Sequence, residues 1–150
     1  MSMICFDMDG TIADLYNVDN WLERLRNCDP TPYLAAKPIY DMTALCQVLN
    51  ALRNNSYEIR VISWLAKNGT PAYDSAVREC KRAWLRYYNL PIDKIHLVKY
   101  GTTKANCVRR EVNGAAILVD DNAKVRKGWK LGMTIDPTKG DLIQKLEELL

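Results

Sequence analysis

The sequence is poor in the residues that build soft metal centres and covalent frames. Histidine occurs once, at His96, and the five cysteines (Cys5, Cys28, Cys46, Cys80, Cys107) are scattered, odd in number and without any Cys-x-x-Cys pair. A zinc site or a disulfide framework is therefore not expected, and the cysteines read as reduced core residues of a cytoplasmic protein. No apolar run approaches the roughly 18 residues of a membrane span, and Asp7 and Asp9 interrupt the opening apolar stretch before it could serve as a leader. A soluble, unprocessed chain with no membrane partner is the expectation. The charge balance also lacks a strong sign: 21 Lys and Arg against 18 Asp and Glu leave a formal +3, without the clustered basicity of a dedicated nucleic-acid binder. No internal repeat or low-complexity segment is visible.

What is present fits one domain spanning residues 1–150, with 48% hydrophobic residues against 26% charged. Met3-Ile4-Cys5-Phe6 is an apolar run that passes directly into Asp7-Met8-Asp9-Gly10-Thr11. Two carboxylates thus stand where a buried strand ends, and they repel unless a cation or a proton neutralises them. Val18, Trp21, Leu22 and Leu25 recur at helical spacing with Asp19 as a cap, and the three prolines between Asp29 and Pro38 predict a surface loop. Asp41 caps an amphipathic helix carrying Leu45, Val48, Leu49 and Leu52. Residues 57–64 form a strand that ends at Ser63-Trp64.

Ala76, Val77, Cys80, Ala83, Trp84 and Tyr87 mark the inner face of the next helix, and Arg78, Lys81, Arg82 and Arg86 its solvated outer face. A third strand covers Ile95 to Val98, with His96 a satisfied core or partly exposed residue. Thr102 or Thr103 caps a short helix that places Lys104 in its first turn. Ala115 to Val119 is the most strand-like run in the chain and stops at Asp120-Asp121-Asn122. A basic helical stretch, a short strand at residues 132–135 and a helix capped by Asp141, with Leu142, Ile143, Leu146, Leu149 and Leu150 inward, complete the pattern. Met1, Met3 and Met8 read as core or strand filling, and Trp84, Trp129 and the Tyr87-Tyr88 pair as helix packing. The alternation of strands and helices predicts a three-layer α/β/α sandwich around a parallel, Rossmann-like sheet.

Ligands in such sheets bind outside the carboxyl ends of the strands. Asp7 with Asp9, Ser63, Lys104, and Asp120 with Asp121 all fall there. Two carboxylate pairs without a His or Cys companion suit Mg²⁺, which prefers oxygen ligands and shares its shell with phosphate and water. A hydroxyl and an ammonium beside them suit phosphoryl transfer.

With these residues in place, the sequence resembles the haloacid dehalogenase superfamily of phosphohydrolases. The strand running into DxDGT matches residues 5–11, the strand ending in Ser or Thr matches Val61-Ile62-Ser63, the lysine near a helix start matches Lys104, with Lys99 as a rival, and the strand ending in two acids matches residues 117–121. The resemblance implies Asp7 as the nucleophile that becomes an aspartyl phosphate and Asp9 as the acid and base. It implies Ser63 and Lys104 as phosphate ligands, and Mg²⁺ held by Asp7, the backbone carbonyl of Asp9 and Asp120, with Asp121 beside or among the ligands.

Members of the superfamily differ in inserted caps. The gap after the first motif, about residues 13–41, leaves room for a minimal cap, and the gap from Trp64 to Ile95 for none of any size. The site should be open, with Trp21, Tyr33, Tyr40 or Trp64 available to stack on a nucleobase. The short insertion, Ser63-Trp64 and the paired acids look like the pyrimidine 5′-nucleotidase branch of bacteria and phages, whose cap is usually longer. The favoured expectation is a Mg²⁺-dependent phosphatase acting on a small phosphorylated substrate, a nucleoside monophosphate. The alternatives are a phosphatase for polynucleotide ends or phosphoprotein, and a non-catalytic metal- or phosphate-binding module on the same fold.

Overall fold

The apolar opening run becomes the middle of a five-stranded sheet. In the computed structural model, which describes residues 2–150, strand β1 (Ser2–Phe6) lies between β4 (Tyr57–Trp64) and β6 (Ala116–Val119), pairing in parallel with both. Strand β5 (Lys94–Val98) extends the sheet beyond β4 and β7 (Thr134–Ile135) extends it beyond β6, giving the order β5-β4-β1-β6-β7. All pairings are parallel, so helices must return the chain and cover both faces. Helices α3 (Met42–Asn54), α4 (Pro71–Tyr87), α5 (Lys104–Val108), α6 (Ala123–Gly128) and α7 (Leu142–Glu147) do so. The result is the expected three-layer α/β/α arrangement.

Side chains alternate across β1 because successive Cβ atoms point to opposite faces. Ile4 and Phe6 join Leu45, Val48, Leu49 and Leu52 of α3 and Leu142 and Leu146 of α7 in one core. Met3 and Cys5 join Ala105 and Val108 of α5, Leu118 of β6 and Trp129 in the other. Met3 and Met8 are both buried, as expected, while Met1 lies outside the described residues. Of the five cysteines only Cys5 is a core residue, its thiol pushed up to about 12 by burial; Cys28 is exposed and Cys46, Cys80 and Cys107 are partly buried. The indoles of Trp84 and Trp129 satisfy their N–H groups on the carbonyls of Ala36 and Ala116, at 2.7 and 2.9 Å. His96 is partly buried on β5, its Nε2 3.3 Å from the Arg60 guanidinium.

Between β1 and α3 the chain makes a small excursion. Strand β2 (Ala13–Asp14) pairs antiparallel with β3 (Lys37–Pro38), and this two-stranded stem carries a 3-10 turn (Leu15–Asn17) and helices α1 (Trp21–Arg26) and α2 (Thr31–Ala35). Helix α2 corrects the expectation of a loop. Pro32 sits in its first turn, where the missing N–H would have no partner in any case. Asp29 stabilises the entry by accepting from the Thr31 N–H and hydroxyl at 2.9 and 2.6 Å. The cap of α1 is Asn20, in a left-handed conformation, and not Asp19.

Other departures concern individual faces. Lys81 is fully buried, so the basic face of α4 is not a continuous solvated one, whereas Tyr87 is 80% exposed although its spacing pointed inward. Leu150 is likewise exposed. Thr103 is the cap of α5 by backbone position but makes no side-chain capping bond. Asp41 and Asp141 do cap α3 and α7, accepting from the backbone N–H groups of Ala44 at one helix and of Ile143 and Gln144 at the other. Among the described residues no helix is long and apolar enough to cross a membrane.

Candidate active site

From β1 the chain builds outward through β4 to β5, then returns to the other side of β1 to add β6 and β7. The reversal falls between β1 and β6, the position at which such sheets open a crevice beyond their strand ends. Asp7 and Asp120 are the first residues past these two strands. Their backbones stay tied to the sheet: Asp7 N–H donates to Val119 O at 2.9 Å and Asp120 N–H to Ile135 O at 3.2 Å. The chain then turns sharply at Gly10, whose φ of +80° admits no side chain without strain. A Cβ there would also collide with the Asp121 carboxylate and the Tyr16 ring. Thr11 follows, fully buried. Its hydroxyl donates to Asp7 Oδ2 at 3.0 Å and accepts from the Asp121 N–H at 3.2 Å, locking the two acidic turns together.

Asp7, Asp120 and Asp121 bring carboxylate oxygens within 4.8 Å of one another. Lys104, at the first position of α5, points its ammonium between two of them, 2.8 Å from Asp7 Oδ1 and 2.7 Å from Asp120 Oδ2. Lys99 is exposed, so Lys104 is the lysine that the fold brings to the acids. Burial works against the Lys104 charge, but the adjacent Asp7 and Asp120 carboxylates outweigh it and raise the affinity for the proton. One ammonium does not neutralise three acids. Burial, together with the charges of Asp7 and Asp120, pushes Asp121 up to about 7, and burial with the Asp7 charge raises Asp120 although Lys104 opposes it. An all-oxygen cluster with excess negative charge is the chemistry of a Mg²⁺ site, and Asp7, Asp120 and Asp121 fit that ion.

Asp9 stands apart from this cluster. Its carboxylate turns toward α4, where Lys81 Nζ donates to Asp9 Oδ2, to Ser63 Oγ and to Trp64 O, each at 2.7 Å. Burial raises the Asp9 carboxyl above its ordinary range, opposed chiefly by the Lys81 charge. Ser63 is 1% exposed at the end of β4, and because its oxygen accepts from Lys81 its own proton is directed elsewhere. Lys81 is the site residue that the sequence reading misplaced. The signal was there: Lys81 lies four residues after Val77 and three before Trp84, on the apolar stripe of α4, and its charge drew it to the outer face in a reading by residue type.

The acids floor a cavity of about 340 Å³. Its walls are aromatic. Tyr16 and Trp21, packed edge to face with centroids 5.0 Å apart, and Trp64 and Tyr100, tilted at 5.0 Å, are among its lining residues. Tyr33 lines it as well. The Trp64 indole is held by donation to Thr102 O at 2.8 Å and lies 5.5 Å from Lys104 Nζ. Trp21, Tyr33 and Trp64 line this cavity, Tyr33 almost fully buried with Lys81 over its ring, whereas Tyr40 does not: its hydroxyl donates to Pro137 O at 3.0 Å and its ring packs on the core. Tyr16 and Tyr100 were missed because nothing local distinguishes them from other surface tyrosines.

No protein-family profile matches the chain, and no curated protein matches it significantly. Solved structures do. The chain superposes on structures of the Pnkp1/Rnl/Hen1 complex and of the Pnkp1/Rnl/Hen1 RNA repair complex with TM-scores of 0.60 and 0.58, at 18% and 20% identity. These matches cover 89% and 88% of this chain but only 45% and 41% of those chains, so it spans less than half their length. A third structure, the HAD domain of the effector protein Lem4 from Legionella pneumophila, matches at a TM-score of 0.52 and 16% identity, covering 99% of this chain and 93% of that one. Five parallel strands in this order, helices on both faces and the likeness to the Lem4 domain identify the fold as that of haloacid dehalogenase-like proteins.

Proposed function

We propose that the protein is a Mg²⁺-dependent phosphomonoester hydrolase working through an aspartyl phosphate. The observation that carries this reading is the convergence, at the sheet's reversal point, of Asp7, the Lys104 ammonium and the Asp120-Asp121 pair, with Asp9 held separately beside them. In the first displacement an Asp7 carboxylate oxygen forms a bond to phosphorus while the bond from phosphorus to the ester oxygen breaks. Asp9 gives its proton to that departing oxygen. In the second, water attacks the phosphorus of the aspartyl phosphate, loses a proton to Asp9, and releases inorganic phosphate with Asp7 restored. Burial keeps Asp9 protonated further up the pH scale than a free carboxyl, which suits an acid. Lys104 offers its charge to the phosphoryl oxygens. Mg²⁺ bound by Asp7, Asp120 and Asp121, with the Asp9 carbonyl as a further ligand, would add positive charge against those oxygens.

The favoured substrate is a nucleoside monophosphate. A cavity of about 340 Å³ lined by two aromatic pairs suits one base and its sugar above the acids. Polynucleotide ends are the second reading, favoured by the small excursion at residues 13–41, which acts as a minimal cap and leaves Tyr16 and Tyr100 about half exposed at the mouth. The likeness to a chain of an RNA repair complex supports the same reading. A screen of phosphorylated metabolites, a phosphopeptide and an end-phosphorylated oligonucleotide, with and without Mg²⁺, separates them. Asp7→Asn is expected to abolish hydrolysis of an aryl phosphate while leaving the melting temperature close to wild type; undiminished turnover would remove Asp7 from the mechanism.

A further inference from the structure

Lys81 has no solvent-exposed surface, and an ammonium has three N–H bonds and no acceptor. All three are used, on Asp9 Oδ2, Ser63 Oγ and Trp64 O at 2.7 Å each, and the Tyr33 ring lies 4.7 Å from the nitrogen. Burying a lysine costs several kcal/mol before its partners offset the loss of water. An apolar side chain would fill the same place on the stripe of Val77 and Trp84 without that cost. Two of the three acceptors belong to the end of β4, a strand paired on both sides and therefore rigid. The third is the carboxylate that does proton work in the reading above.

We propose that Lys81 is a positioning residue for Asp9: it braces the Asp9 carboxylate against the end of β4, anchoring one oxygen and leaving the other free toward the cavity to meet the departing ester oxygen. This rests on the assignment of Asp9 as acid and base. The geometry supplies the reason for a brace. Asp9 follows Met8 in a tight turn that its own backbone does not hold to β4, and it remains 15% exposed on the cavity side. Without Lys81 the carboxylate could rotate toward solvent or toward the acid cluster. Proton transfer tolerates little misplacement, since a positioned acid contributes roughly 100- to 10,000-fold.

The test uses two substrates that differ in their need for a proton. Dinitrophenyl phosphate expels a stable phenolate unaided, whereas an alkyl phosphate such as glycerol 2-phosphate requires an acid. For Lys81→Met, kcat/KM, which reports on the first displacement, is expected to fall about tenfold or more further on the alkyl phosphate than on the dinitrophenyl ester. Asp9→Asn should show the same selectivity, and adding Lys81→Met to Asp9→Asn should cost little more on either substrate. Equal losses on both substrates, full activity, or additive losses in the double variant would overturn the proposal. Lys81→Gln, which keeps a donor, is assayed in parallel in case Lys81→Met does not fold; failure of both to fold would make Lys81 a folding residue and also overturn it. An Asp9→Asn variant without selectivity would instead count against the role of Asp9 itself.

Discussion

Lys99 and Lys104 lie five residues apart, but only Lys104 faces the acids. If the proposed hydrolysis holds, replacing Lys104 by Ala should lower turnover of an aryl phosphate by orders of magnitude, and Lys99→Ala should leave it unchanged; a large loss at Lys99 alone would reverse the assignment. Without its lysine the acid cluster loses its one internal cation, so Lys104→Ala should also melt lower when Mg²⁺ is absent, by the roughly 3–5 kcal/mol that accompanies a broken buried pair. At this scale the sequence was legible wherever a residue stood at a strand end, because the continuous apolar run of a buried parallel strand breaks there. Asp7, Asp9, Asp120 and Asp121 are of this kind, whereas Ser63, expected against a phosphate, is buried and accepts from Lys81 instead of lining the cavity. Lys81, Tyr16 and Tyr100 were not legible, since their roles come from which neighbours the fold brings to them and not from local pattern.

Among the elements, α3, β4 and α4 could be read directly because each runs long enough for its pattern to show, and β6 because its short apolar run stops abruptly at two acids. The cap of α3 shows what one such signal contributes: Asp41→Ala should cost about 1 kcal/mol in urea unfolding, with no change in the slope of the transition. The excursion between β1 and α3 was legible only at α1, whose apolar spacing showed; the rest was opaque for the opposite reason. Its strands are two residues long and its helices five or six, so each is held by packing on others and not by its own propensity. Asp29 ties α1 to α2 through Thr31 and Arg24, and the Thr31 hydroxyl and N–H, with Arg24, hold its carboxyl down at about 2 from an ordinary 3.8. A depressed carboxyl stabilises the fold above its unfolded value and loses that effect as pH falls through its folded one. Asp29→Asn should therefore be less stable than wild type at pH 5 and above, and the gap should close between about pH 4 and pH 2 in acid-unfolding measurements.

For the whole molecule, the excess negative charge at the sheet's reversal point makes stability and ion binding one quantity. An ion that binds only the folded chain stabilises it by about 2.7 kcal/mol at one hundred times its dissociation constant. For a chain of 150 residues that corresponds to a rise of several degrees in melting temperature. Mg²⁺ should produce this rise in calorimetry and a chelator should remove it. Asp120→Asn should blunt it, and a melting temperature indifferent to Mg²⁺ in the wild-type protein would exclude the site.

The hydroxyl of Thr11 meets the backbone of Asp121 across 110 residues of sequence, beside the pairing of β1 with β6. On a ribosome, then, the first strand emerges long before its second neighbour, and its acids wait beside an unfilled sheet edge until β6 has been made. The acidic crevice closes late, and β1 keeps an edge open to pairing with other nascent chains in the interval.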